Sequence, residues 1–446
     1  GASHPEELLK TCHAHGITAM ALTDTWGVHG IIKAALEARR RGIHLISGAS
    51  IEFDSALSLT LLVQNTTGWK NLCRILSKRD LCGESEDLFR LLASRDEGLL
   101  LLWEPTFTHR GSANMWRSFG RLLSHFPERH YCALGRHALP DQRPREAATR
   151  ALAAKFNSPL LAAPRVHYHS PSRRMLHDVQ RCIDRGVRIE DAKSELLPNN
   201  TFALPTREQM VHRWRDDIAA LRRTREVAER CRFDPLALSL PQPVVSLDQG
   251  KTPRQTLRRK VWRGVLRRYG EHPDTRVIDQ IKHELALIAS LGYEGYFLTM
   301  AEIVEFCARE KILCQGRGSA ANSVVCYCLG VTAIDPLELG LLFERFLSEA
   351  RADPPDIDLD IMHQRREEVI QFIYQRHGQE HAAMLCNIVR FRQRLALREV
   401  GKVLGFPEHV LGKVSKVVGR GARVDAEVLA RANLDPEARR VRLWLP

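Results

Sequence analysis

The chain has 446 residues, 44% hydrophobic and 27% charged, which excludes a disordered polypeptide and fits folded globular domains. At roughly 100–200 residues per domain, two or three domains are expected. No apolar run approaches the ~20 residues of a spanning helix, so no membrane partner is expected. Lys and Arg outnumber Asp and Glu by 66 to 53, a net charge of +13 that favours a polyanionic partner.

The chain opens Gly1-Ala2-Ser3-His4-Pro5 without the character of a secretory leader and without Met, so residues ahead of Gly1 are expected. Ile17–Thr23 reads as a strand. Gly30–Arg41 has helical spacing and stops at Gly42. His44–Phe53 and Leu59–Gln64 are strand-like, and Trp69–Lys78 is helical. Leu99–Trp103 and Tyr131–Leu134 are short apolar runs. Pro144–Phe156 reads as a helix, Leu160–Ala163 as a strand and Pro171–Arg185 as a helix closed by Gly186. Strands alternating with helices predict βα units on a largely parallel sheet, closed or open.

The pattern changes near Phe233. Asp234-Pro235 and Pro241-Gln242-Pro243 predict a linker. A basic helical stretch follows, with Arg258, Arg259, Lys260, Arg263, Arg267 and Arg268, suited to a solvated face or to a phosphate backbone. Phe297–Arg309 is helix-like. The loop Gln315–Ser319 precedes an apolar helical run, Ala320–Leu329. Pro354-Pro355 introduces a short strand, and Arg365–His377 is an amphipathic helix ending at Gly378. Beyond Asn387 the chain is basic and helix-rich, with Arg390, Arg392, Arg394, Lys413, Lys416, Arg420 and Arg423. The 11 cysteines include no CxxC pair, the nearest being Cys326-x-Cys328, so reduced, buried thiols are expected rather than a zinc site or a disulfide framework.

Chemistry concentrates in Pro355-Asp356-Ile357-Asp358-Leu359-Asp360-Ile361. On a strand, alternation puts Asp356, Asp358 and Asp360 on one face and the aliphatic residues on the other. Clustered carboxylates repel one another unless a cation or solvent screens them, and magnesium takes one or two carboxylates together with substrate phosphates. A solvated acidic face would show the same alternation, but aspartate is a poor strand former. The second element is Gly316-Arg317-Gly318-Ser319-Ala320-Ala321-Asn322-Ser323. Small residues let backbone approach phosphate oxygens, and a following helix would offer free N–H groups. Ser319 could cap that helix or bind phosphate. No Gly-Lys-Ser/Thr closes the turn, so it is not a P-loop.

The run Ile312–Ser323, with Asp335-Pro336-Leu337, Leu342–Leu347 and Pro355–Asp360, resembles the bacterial C-family DNA polymerases. The variants Asn322 and Cys326-Tyr327-Cys328-Leu329-Gly330, and the opening Gly1–Leu8, resemble the family's error-prone, damage-induced branch more than its replicative one. This resemblance implies an α/β chain in three parts. They are a distorted βα barrel of the polymerase-and-histidinol-phosphatase (PHP) type over 1–235, a mixed α+β nucleotidyltransferase-type palm over 236–387 and a partial helical thumb over 388–446. It implies that Asp356 and Asp358 hold two magnesium ions, with Asp360 a further candidate. It places the incoming triphosphate at Gly318 and Ser319, with Arg317 and Arg345 at its phosphates. Primer-template DNA and deoxynucleoside triphosphates are the implied partners, with a sliding clamp and mutagenesis proteins as candidates, in a bacterial cytoplasm. The family's third catalytic aspartate lies beyond an inserted thumb, so a fragment inactive alone is expected.

The same resemblance makes the first part a metal site in active relatives. Here Asp24 keeps its motif, while Thr25, Ser50 and Arg165 stand where His, Glu and Asp are common, leaving His167. Trading carboxylates for Ser and Arg removes charge and ligands together, so no metal cluster is expected in this domain. His167 and His169 are then ordinary polar or surface histidines. A phosphoesterase working through this barrel and a non-catalytic module binding DNA or a partner are the alternatives.

Overall fold

The structure is a computed structural model that describes residues 1–54, 56–78, 85–107, 111–192, 196–238, 250–347, 355–378, 380–385 and 390–417. Predicted features at Pro241–Pro243, Pro354, Asn387, Arg420 and Arg423 lie outside the described residues. Two compact units emerge, one of Gly1–Leu238 with Val389–Pro446 and one of Ser239–Ile388.

The first unit is built on a six-stranded sheet in chain order: β1 Ala19–Thr25, β2 His44–Asp54, β3 Leu57–Val63, β4 Leu99–Pro105, β5 His130–Leu134 and β6 Leu160–Ala162. It curls as a half-barrel with β1 and β6 at its edges, so the expected α/β class with a βα-barrel-like first domain is observed. The sheet is more mixed than strand–helix alternation predicts. β1–β2, β4–β5 and β5–β6 are parallel, whereas β3 runs antiparallel to both neighbours. The reason is length: β2 ends at Asp54 and β3 begins at Leu57, far short of the dozen or so residues a parallel crossover needs.

Strand periodicity explains why both sheet faces are covered. Leu59, Leu61, Leu101 and Trp103 enter one core with Leu72, Leu88 and Phe119 from the helices Thr66–Leu76, Ser85–Ala93 and Ala113–Leu123. Leu62, Leu100 and Leu102 enter the opposite core with Val227 from the helix Ile218–Arg230. The buried Trp103 donates its indole N–H to Ser158 Oγ at 3.1 Å, satisfying the one polar atom of that ring. Helices Gln393–Val403 and Glu408–Val417 also belong to this unit. Val403 and Val400 pack with Val179 and Cys182 of the helix Arg174–Arg185.

In the second unit the helices Pro253–Tyr269, Thr275–Ser290 and Glu294–Arg309 enclose a short helix, Val324–Leu329, through Val261, Ile281, Phe297, Val324 and Val325. The basic run of the first of these helices is partly consumed by the fold. Lys260 pairs with Glu305, and Arg267 and Arg268 donate to the carbonyls of Cys328 and Thr332. The unit's strands are β7 Cys314–Arg317 and β8 Asp358–Ile361, an antiparallel ribbon. Among the described residues the cysteines are free thiols, mostly buried, and no helix is long and apolar enough to cross a membrane.

Candidate active site

The ribbon brings the two predicted motifs together. Arg317 pairs in register with Asp358, and Gln315 with Asp360. The alternation is that expected: Asp356, Asp358 and Asp360 are exposed, while Ile357 is buried among the second unit's aliphatic side chains. The strand is shorter than predicted, however. Residues 355–357 make no ladder, because the Ile357 N–H donates instead to the Tyr296 hydroxyl at 3.1 Å. Burial pushes the Tyr296 phenol pKa up, and the nearby charges of Asp356 and Asp358 push it the same way. Tyr296 thus holds the segment that bears Asp356. Its place at the start of an apolar helix gave no sequence signal of this role.

Two glycines let the ribbon turn. A Cβ on Gly316 would stand 2.7 Å from the Val331 carbonyl, which accepts the Gly316 N–H at 2.6 Å. Gly318 has φ +70°, a conformation costly for other residues. The chain then makes a 3-10 turn, Gly318–Asn322, in which Asn322 Nδ2 donates to the Ser319 carbonyl at 2.9 Å. Ser319 Oγ lies 3.5 Å from the Asp356 carbonyl, so turn and acids are neighbours. Arg345 projects, exposed, from a second turn, Phe343–Arg345, that packs against the first.

The single helix expected from Ala320 to Leu329 is instead that 3-10 turn followed by the six-residue helix Val324–Leu329. Its cap is Ser323, which accepts from the Cys326 N–H at 3.1 Å, and not Ser319. Nor are this helix's N–H groups free for a phosphate. The buried Glu284 accepts from Val324 N–H (3.0 Å), Val325 N–H (2.9 Å), Ser323 Oγ (2.7 Å) and Gln280 Nε2 (3.1 Å). Burial pushes the Glu284 carboxyl pKa up against the pull of these donors. An internal carboxyl group occupies the helix start that the sequence left open for a ligand.

The acids form a donor set of oxygens alone. Arg317 Nε lies 3.6 Å from both Asp358 Oδ2 and Asp360 Oδ1. A side-chain cation already drawn to two of these carboxylates shows that the face attracts positive charge. Among the described residues no group of three or more His, Cys, Asp or Glu is placed to hold a metal, here or elsewhere. Magnesium retains waters and commonly takes only one or two carboxylates alongside substrate phosphates, so the residues present fit it.

In the first unit the residues marked from sequence have found other partners. Asp24 Oδ2 accepts the Gly30 N–H at 3.2 Å, and Ser50 shares a hydrogen bond with Thr60 at 3.1 Å. Arg165 donates to Glu104 at 2.7 Å. His167 is partly buried. Its ring lies 5.0 Å from that of His177 and 5.6 Å from Phe202, and burial pulls its pKa down to about 3. His169 shares a hydrogen bond with Ser3 Oγ at 2.7 Å.

The PHP domain model matches residues 1–147, and the bacterial DNA polymerase III alpha NTPase domain model matches residues 255–442. Successive parts of the chain are thus similar to a PHP domain and to a polymerase III alpha domain. The chain is a relative of proteins named error-prone DNA polymerase, at 36% identity to that of Bdellovibrio bacteriovorus over 98% of this chain and 42% of the relative. The Pseudomonas aeruginosa protein is 37% identical over 98% of this chain and 42% of its own length, and that of Dechloromonas aromatica 37% over 100% and 44%. The chain thus spans less than half the length of the relatives it matches.

Proposed function

We propose that this chain is part of an error-prone, template-directed DNA polymerase that extends a primer across damaged template, with 1–235, 236–387 and 388–446 as its PHP, palm and partial thumb regions. The observation that carries the reading is the β7–β8 ribbon, which sets the Gly318–Ser319 turn beside Asp356 and Asp358. Two magnesium ions, held by Asp356 and Asp358 with Asp360 as a further ligand, would supply activation of the primer hydroxyl and neutralisation of the departing pyrophosphate. The chain's own residues do the rest. The turn backbone and Ser319 hold the triphosphate close to the acids, and Arg317 and Arg345 offer guanidinium groups to its oxygens. In the transfer the primer 3′ oxygen forms a bond to the α-phosphorus, the α–β phosphoanhydride breaks, and the hydroxyl proton leaves to solvent. The Arg317 contacts to Asp358 and Asp360 give way as that side chain turns to phosphate.

Primer-template DNA and deoxynucleoside triphosphates are the substrates on this reading. A sliding clamp and mutagenesis proteins are candidate partners, and the bacterial cytoplasm is the setting. Extension of a labelled primer by the protein as expressed from its own gene tests it, and retained extension by an Asp358→Ala variant would count against the site.

We propose further that the PHP domain has a structural role and carries no multinuclear metal cluster. Arg165 neutralises Glu104, Ser50 is spent on Thr60, and the desolvated His167 lacks a carboxylate partner among the described residues. Metal analysis of the purified protein is expected to find less than one zinc or manganese per chain after dialysis against magnesium buffer. Stoichiometric zinc or manganese would overturn this.

A further inference from the structure

A cleft of about 560 Å³ opens in the first unit between the end of the helix Pro5–Ala14, the segment 169–171, the loop 200–206 and the helix Arg207–Arg213. Its one arginine is out of balance. Arg213 is half-buried and has no carboxylate partner among the described residues. Its Nη1 is sealed from solvent without a hydrogen bond. Burial pulls its pKa down, with no compensating anion. Elsewhere in this unit such guanidinium groups are matched: Arg136 by Glu146 and Asp216, Arg150 by Glu146 and Asp217, Arg165 by Glu104. A half-buried cation left without a counter-charge is desolvated without compensation, a deficit an arriving anion removes.

The rest of the lining suits a phosphate ester. Gln209 spends its Oε1 on the Thr206 N–H and keeps its Nε2 donor, and buried His15 Nδ1 also has no partner. Asn200 adds a neutral amide, while Pro171 and Leu204 give an apolar floor. The nearby carboxylate of Glu7 is engaged by Arg173. One unmatched guanidinium, neutral donors and an apolar wall in a cavity of small-ligand size define a site for a single phosphate with an organic body. We propose that this cleft is a binding site for a mononucleotide-sized phosphate monoester, with Arg213 as the phosphate anchor and Gln209 as a second donor. The proposal stands apart from the polymerase reading, because no residue of the second unit enters it.

Calorimetric titration of the whole chain with deoxyadenosine monophosphate, orthophosphate and an unphosphorylated single-stranded oligodeoxynucleotide tests it. The monophosphate is expected to bind one per chain and orthophosphate more weakly. Arg213→Gln should weaken the monophosphate at least about tenfold, the factor one charge-assisted hydrogen bond carries. Gln209→Glu preserves the capping box with Thr206, so it keeps the fold while putting a negative charge in the cleft. It should weaken binding as much or more. Equal affinity in both variants, or no heat from the monophosphate up to about 10 mM, would overturn the site. Loss of oligonucleotide binding alone would overturn the ligand class in favour of a phosphodiester backbone.

Discussion

Primer extension by the protein carrying Asp358→Ala is expected to fall on the order of 10³-fold, with the thermal unfolding midpoint essentially unchanged. The two halves of this expectation have one cause. The Asp358 side chain is 51% exposed, and the cation paired with it among the described residues, Arg317, is itself 64% exposed at 3.6 Å. Such a surface pair adds little stability. A residue whose loss leaves the fold intact while removing turnover is held in place by chemistry. Asp356→Ala should behave alike. Asp360→Ala should lose less, since Asp360 shares the exposed face but pairs with Gln315 one step farther from the Gly-Ser turn. A parallel loss of stability and activity in Asp358→Ala would recast the aspartate as structural.

The second large effect falls on a buried residue. Glu284→Ala is expected to destabilise the second unit by ~3–5 kcal/mol in chemical denaturation. Glu284 is fully buried and accepts four hydrogen bonds, three of them from the segment Ser323–Val325 that follows the Gly-Ser turn. Truncation would strand two backbone N–H groups and a hydroxyl away from water and leave a cavity beside Val324 and Ile281. Glu284→Gln keeps the volume but replaces one acceptor oxygen with a donor facing donors, so it should cost ~1–3 kcal/mol. A loss in Glu284→Ala below that of Glu284→Gln would show that the carboxylate does not hold this segment.

The alternation of Asp356, Asp358 and Asp360 with aliphatic residues was legible because strand geometry is local. So were the apolar strands of the first unit and the glycine stops at Gly42 and Gly186, both of which have φ +65°. What was not legible depends on distant partners. Tyr296 draws the Ile357 N–H out of the ladder from 61 positions away, and Glu284 occupies the helix start at Val324 from 40 positions away. The antiparallel placement of β3 could have been found, since the gap between the runs ending at Phe53 and starting at Leu59 is too short for a crossover helix. The packing of Gln393–Val403 on Arg174–Arg185 could not, because an amphipathic helix does not name the face it will meet. Arg213 is unremarkable in the sequence. What marks the cleft is that, among the described residues, Arg213 has no carboxylate partner.

The site is tested most directly by the position of manganese, by its anomalous scattering, in crystals of the protein with primer-template DNA and a non-hydrolysable deoxynucleoside triphosphate. A peak is expected within coordination distance of the carboxylates of Asp356 and Asp358, with the triphosphate against the 318–319 turn and Arg317 turned from Asp358 toward phosphate. Manganese bound away from both aspartates, with the triphosphate remote from that turn, would contradict it.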